Sequence, residues 1–240
     1  MNIEEFEELM KKYGKKIEIE FTEEQLKKFY DYMNLLIEWN QKINLTAITE
    51  PKEIILKHFI DSLTINKYIQ QNSTLADVGT GAGFPGIPLK IIRSDLKITL
   101  VDSLNKRINF LNDVIEKLDL KGIEAVHSRI EEFGKNKKYR ESFKNVTARA
   151  VANLTVLSEY LIPIAKIGGQ CICMKGSNIE EEIETGKNAI KILGGKIKDI
   201  NEFDLPDSDI SRNIIIIDKI KNTPNKYPRK PGTPSKEPIK

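Results

Sequence analysis

The run LADVGTGAGFPGIPL at residues 75–89 constrains this chain more than any other stretch of it. An apolar segment ends in Asp77, and glycines follow at positions 79, 81, 83 and 86. Without Cβ atoms, Gly79, Gly81 and Gly83 can take positive φ and let a bulky ligand lie against the main chain, while a following helix N-terminus presents unpaired N–H groups. Strand, glycine turn and helix in that order suit a nucleotide-like ligand at the carboxyl edge of a parallel sheet.

Two cofactor classes are compatible with these letters. Gly81-Ala82-Gly83-Phe84-Pro85-Gly86 satisfies the G-x-G-x-x-G pattern of dinucleotide-binding folds. The longer D-x-G-x-G-x-G form from Asp77 to Gly83 favours S-adenosylmethionine. A second acid, Asp102, ends the next apolar run ITLVD, 23 residues beyond Gly79, where an acid in a βαβ unit reaches a ribose. Both cofactors carry an adenosine ribose, so Asp102 does not separate them.

Around this loop the pattern alternates between strand and helix. Thr22-Glu23-Glu24-Gln25 is a capping box opening a helix with Leu26, Phe29, Tyr30, Met33 and Ile37 on one face. Another helix begins near Thr49 and Pro51 and carries His58, Asp61 and Ser62. Strands are expected near 74–78, 97–101, 123–127, 145–150 and 170–174, with two last strands near 196–203 and 213–218 close enough to pair as an antiparallel edge. Leu104, Ile108, Leu111, Ile115 and Leu118 form one buried helical stripe. Asn153 is the expected N-cap of a helix ending at Gly168 and Gly169, and a further helix over 179–193 stops at Gly194-Gly195. The expectation is an α/β, Rossmann-like fold with a mostly parallel sheet and helices on both faces. It divides into an N-terminal helical extension (1–68), a cofactor-binding core (69–220) and a C-terminal arm (221–240).

At 240 residues and 40% hydrophobic, the chain can bury one sizeable core. No run approaches a membrane span, and MNIEEFEELMKKYG is acidic and amphipathic where a signal peptide would be basic and then apolar. A cytoplasmic monomer is expected. Cys171 and Cys173 share one face of an apolar strand and read as buried thiols; with only His58 and His127 elsewhere, no metal site is expected.

The net charge of +3 is unevenly distributed, because residues 219–240 alone carry seven basic residues against Glu237. The same stretch holds five of the ten prolines. It should therefore be extended and non-helical, an arm separable from cofactor binding, with Lys226, Arg229, Lys230 and Lys236 suited to phosphate contacts and Tyr227 available for stacking on a base.

Over nearly the whole length the chain resembles the bacterial 16S ribosomal RNA methyltransferase G family, formerly glucose-inhibited division protein B. The blocks that carry the resemblance are NQKINLTAITEPKEIILKHFIDSL at 40–63, the glycine loop, VDSLNKRINFL at 101–111, TARAVANL at 147–154, MKG at 174–176 and YPRKPGTPSKEPI at 227–239. Departures are Lys144 in place of a usual acid, Asn153 in place of a proline and Pro231 in place of a common alanine. The resemblance implies a class I S-adenosylmethionine-dependent methyltransferase with a seven-stranded sheet, acting on N7 of a guanine in the decoding-region loop of 16S ribosomal RNA or the small ribosomal subunit. It implies that Gly79 and Phe84 contact the cofactor, Asp102 accepts from the ribose, and Ile130 and Glu131 lie at the adenine. Arg149, at the end of the fourth strand, would meet cofactor and substrate, orienting the guanine, and Lys175 would reach the RNA backbone.

Guanine N7 has a lone pair and no proton, so no general base is needed, and His58 is expected to pack or hydrogen-bond. A small-molecule methyltransferase would share the glycine loop but has no use for a basic arm. An oxidoreductase would need a hydride-handling acid or base, for which there is no candidate, and a non-catalytic RNA chaperone would bind the cofactor without turnover.

Overall fold

The computed structural model describes all 240 residues. The element order begins with α1 (Ile3–Lys16) and α2 (Glu23–Ile43), then a broken helix made of α3 (Pro51–Ile54), a π-helical turn (Ile55–Ile60) and α4 (Asp61–Leu63). The core follows as β1 (Thr74–Val78), α5 (Gly86–Ile92), β2 (Lys97–Asp102), α6 (Asn105–Lys117), β3 (Ile123–His127), α7 (Ile130–Lys135), β4 (Phe143–Arg149), α8 (Leu154–Leu161), β5 (Ala165–Lys175), α9 (Glu180–Leu193), β6 (Gly195–Asp204) and β7 (Ser211–Lys219). A one-turn helix, α10 (Thr233–Lys236), lies in the arm.

One seven-stranded sheet runs in the order β3-β2-β1-β4-β5-β7-β6. The first five strands are parallel, and β7 inserts antiparallel between β5 and the edge strand β6. Period-two alternation sorts the side chains into two cores. Ile172, Met174, Ile214 and Ile216 belong to the core shared with the N-terminal helices, α5 and α6, whereas Cys171, Cys173, Ile215 and Ile217 belong to the core shared with α7, α8 and α9. Both cysteines are free thiols within that second core. The N-terminal helices are not an appendage: Phe6, Met10, Phe29, Tyr32 and Phe59 belong to the same apolar cluster as Leu75 and Leu100 of the sheet. No helix is long and apolar enough to cross a membrane.

Several local expectations meet their physical causes. The Thr22 capping box forms, with Thr22 Oγ1 accepting from Gln25 N–H and Gln25 closing back on Thr22. Asn153 caps α8. That helix stops at Leu161, well short of Gly168: Pro163 follows, and the two glycines lie inside β5 instead. A Cβ on Gly169 would fall 2.7 Å from the carbonyl oxygen of Lys144, so the glycine is there to let β5 close on β4 beside its register shift.

The arm departs most from its expected character. It is not extended throughout, since Pro234 sits in the first turn of α10, where a proline costs no helical bond. Nor is it solvated: Tyr227 and Ile239 are buried in the second core. Arg229 grips Glu159, which is 1% exposed, through its backbone N–H at 2.7 Å and its Nη2 at 2.7 Å. Arg140 donates to the carbonyls of Tyr227 and Thr223. The ammonium of Lys219, at the root of the arm, is buried on Glu141 and the Ile162 carbonyl.

Replacing Arg229 with Ala leaves a buried carboxylate its main-chain donor but strips it of its charged partner, which costs about 3 kcal/mol. Urea denaturation is expected to show that loss, and a variant within about 0.5 kcal/mol of the parent would mean the arm is only loosely attached.

Candidate active site

At the carboxyl edge of the sheet, the turn between β1 and α5 is fastened from three directions. Gly79 N–H and Thr80 N–H both donate to the Val101 carbonyl of β2, at 2.8 and 3.1 Å. Asp77, fully buried, accepts at Oδ2 from Thr80 Oγ1 at 2.6 Å and from Gly86 N–H at 2.8 Å. Gly86 permits that approach, because a Cβ there would meet Leu100 at 2.3 Å and Asp77 at 2.8 Å. From the other side Tyr32 of α2 donates its hydroxyl to the Ala82 carbonyl. Sequence reasoning placed Tyr32 nowhere near this loop, because nothing local links residue 32 to residue 82.

Asp102 ends β2 as expected and also organises the rim. Its Oδ2 accepts from Gly81 N–H at 3.0 Å and Arg107 Nη1 at 3.2 Å, and its Oδ1 from Leu104 N–H at 2.9 Å. Gly81 takes φ +62°, and a Cβ added to it would find nothing within 4 Å, so open space lies over the middle of the loop. Ile130 reaches across from α7: its Cδ1 would stand 3.8 Å from a Cβ on Gly79. Glu131 is buried, and its carboxylate turns away to accept from Gly232 N–H of the arm at 2.9 Å. Only the main chain of Glu131 is left to face a ligand at the strand ends.

Phe84 and Arg149 come together, but not around open space. The Phe84 ring is 5% exposed and stacks on His58 at 4.4 Å between centroids, with Arg149 Cζ 5.0 Å from its centre. Arg149 donates Nη1 to Asp61 at 3.1 Å and to the Lys57 carbonyl at 2.9 Å, and Nη2 to His58 Nδ1 at 3.1 Å. The expected guanine-orienting arginine is therefore held in an ion pair by the broken helix. Arg212 of β7 reaches the other oxygen of Asp61 at 3.2 Å. Neither Asp61 nor Arg212 was singled out by sequence, although an arginine beside the apolar run IIII of β7 signals a buried partner.

Since a guanidinium can only donate, His58 Nδ1 must accept and Nε2–H must donate, here to Thr46 Oγ1 at 2.9 Å. Burial, reinforced by the Arg149 charge, pushes the imidazole down to about 3. Beside this cluster a cleft of about 430 Å³ opens at the ends of β4 and β5, with Lys57, His58, Arg149, Lys175 and Arg212 in its wall. Lys175 is 10% exposed and engaged by Glu182 at 2.6 Å and the Ala152 carbonyl at 2.8 Å, so it is not the free phosphate contact that the sequence suggested. A larger crevice of about 650 Å³, between the end of α1 and the β6–β7 hairpin, contains none of the expected site residues, whereas the smaller cleft contains Arg149 and Lys175.

The residues fit S-adenosylmethionine. Open space over Gly81, an acid at the end of β2, and the unpartnered Oδ1 of Asp77 together suit a cationic adenosyl ligand. Solved structures share this fold. A SAM-dependent methyltransferase from Aquifex aeolicus superposes with a TM-score of 0.52 at 16% identity, covering 72% of this chain and 96% of that one. A 16S rRNA (adenine(1408)-N(1))-methyltransferase from Catenulisporales acidiphilia gives 0.51 at 18% identity, covering 63% and 87%. The sheet, with its last strand but one reversed, has the fold of these S-adenosylmethionine-dependent methyltransferases.

Within that class, the profile described as rRNA small subunit methyltransferase G matches residues 25–214. A ribosomal RNA small subunit methyltransferase G from Clostridium novyi is 49% identical over all of both chains, and one from Acetivibrio thermocellus is 58% identical over 92% of this chain and 91% of its own. The chain belongs to the rRNA small subunit methyltransferase G family.

Burial raises the Asp77 carboxyl from 3.8 to about 6, against the bonds from Thr80 and Gly86 that lower it. A carboxyl raised on folding costs stability progressively as pH climbs from 3.8 to about 6, and the loss is complete above that. The stability of Asp77→Asn relative to the parent should therefore improve by about 1 to 2 kcal/mol between pH 5 and pH 7.5. Urea titrations at the two pH values check this, and a constant difference would contradict the buried charge.

Proposed function

We propose that this methyltransferase modifies N7 of a guanine in the decoding-region loop of 16S ribosomal RNA, by direct attack and without a general base. It acts in the cytoplasm as a monomer, on free ribosomal RNA or on small-subunit particles. The observation that carries the choice of acceptor is the condition of the titratable groups around the cleft. His58 is held neutral with both ring nitrogens engaged, Asp61 lies between two arginines, and Glu182 is paired with Lys175. An acceptor that must lose a proton would meet no free base here. Guanine N7 offers an in-plane lone pair and has no proton to lose.

Gly79, Gly81, Gly83 and Asp102, with the main chain of Phe84, Ile130 and Glu131, would hold the cofactor. When bound, S-adenosylmethionine supplies a methyl group on a sulfonium, an electrophile suited to a nitrogen lone pair. The protein's part is alignment and exclusion of water. Arg149 contributes as a fixed wall of the cleft, its direction set by Asp61 and its plane by Phe84. The target base must be unpaired or in a loop to enter such a cleft. Lys226, Lys230 and Lys236 are exposed and remain available for phosphates, whereas Arg229 works as an anchor.

Labelled methyl transferred to small-subunit RNA from cells lacking the enzyme should map to one guanine, and the product should be cleaved by aniline after borohydride reduction. The single-turnover rate should be nearly flat from about pH 6.5 to 9, because no proton leaves in the rate-limiting step. Resistance to aniline, or a rate rising steeply with pH, would point to another acceptor atom.

Asp102→Ala removes a charged acceptor from the ribose and should weaken cofactor binding by about 1.5 to 3 kcal/mol by calorimetry. Exchanging Lys226, Lys230 and Lys236 for Gln should lower the log–log salt slope of RNA binding by about 0.7 to 0.9 for each phosphate no longer neutralised. Equal slopes would show that the three ammonium groups only face solvent.

A further inference from the structure

We infer that the C-terminal arm is a strap that sets the adenine edge of the cofactor site, with Glu131 as the positioning residue through which it acts. This rests on the reading of Ile130 and Glu131 as that edge. The helix they open, α7, has six residues and no side-chain cap at its N-terminus. So short a helix has no stability of its own and takes its position from what grips it. The arm grips it at both ends. Glu131, 6% exposed, accepts from Gly232 N–H at 2.9 Å, and Gly134, one turn on, lies so close to Pro228 that a Cβ there would meet its Cγ at 3.1 Å.

The strap is itself fixed to α8, once between those two points and once beyond them. Arg229 is held by Glu159 of α8, and Ser235 meets the Tyr160 hydroxyl at 3.0 Å. Releasing the arm would leave Glu159 and Glu131 as buried carboxylates without these partners, so arm and α7 form one rigid unit. Ile130, which reaches over Gly79, rides on that unit. Cofactor affinity should thus depend on a residue whose side chain faces away from the cofactor, and the arm is not separable from cofactor binding as its composition suggested.

The test is calorimetry of S-adenosylhomocysteine binding to full-length variants, with a thermal melt of each. Glu131→Ala should weaken binding about tenfold, as expected when a hydrogen bond that fixes a binding edge is removed. In turnover, KM for the cofactor should rise by a similar factor while kcat at saturation stays within about twofold, the pattern of weakened uniform binding. Glu131→Gln keeps the acceptor oxygen for Gly232 N–H and should restore nearly parental affinity. Should Glu131→Ala fail to fold, Glu131→Asp, which withdraws the carboxylate by one carbon, carries the test and should weaken binding in the same direction. A folded Ala or Asp variant with parental affinity would overturn the strap, even if its melting temperature falls, as would a Gln variant as weak as Ala. Asp102→Ala measured in parallel separates the two failures. Weak binding there with parental binding at Glu131 variants rejects the strap alone, whereas parental binding in both rejects the cofactor-site assignment beneath it.

Discussion

Asp61 between Arg149 and Arg212 is the contact on which the site's architecture depends. It joins three parts of the chain that are remote in sequence: the broken helix of the extension, the end of β4 and the start of β7. A carboxylate 2% exposed is tolerable only with such partners, and each arginine is in turn half-withdrawn from water by the same contact. The π-helical turn matters here, since it carries Lys57 and His58, whose carbonyl and ring nitrogen take the remaining Arg149 donors. With those directions fixed, Phe84 has a defined roof, and the second half of the glycine loop cannot drift away from the first.

That loop is held by the protein's own groups. Asp77 ties its ends together from below, Asp102 ties its middle to the rim of β2, and Tyr32 ties Ala82 to the extension. Ordering a glycine-rich segment costs backbone entropy, about 1 kcal/mol or more for each residue, and these hydrogen bonds offset part of that cost. The N-terminal helices thus help to fix the glycine loop, Tyr32 through Ala82 and His58 through Phe84.

The arm shows where composition misleads. Five prolines and seven basic residues in 22 positions describe a solvated, anion-seeking tail when only averages are considered. Two buried acids, Glu131 and Glu159, reverse that reading by giving Gly232 and Arg229 defined partners. Prolines then help, because a chain with few unbound conformations loses little entropy when it is laid along a surface. Lys226, Lys230 and Lys236 keep the basic character, while Tyr227 and Arg229 are withdrawn into structure.

The sequence by itself determined the sheet, the loop and the cofactor. Continuous apolar runs in IIII and QCICM, the helical stripe from Leu104 to Leu118 and the glycines after Asp77 are local signals with local causes, so the strands fell within a few residues of where they were expected. Asp102 was legible because its distance from Gly79 is set by one βαβ unit. Pairings across the fold were not legible: Tyr32 with Ala82, Asp61 with two arginines, Lys175 with Glu182 and the arm with Glu131 and Glu159. A buried charge must find an opposite charge, but nothing in its neighbours along the chain says which one. Only the packing of the extension and the arm against the two faces of the sheet made those choices, and with them decided which arginines and lysines remain free to meet a substrate.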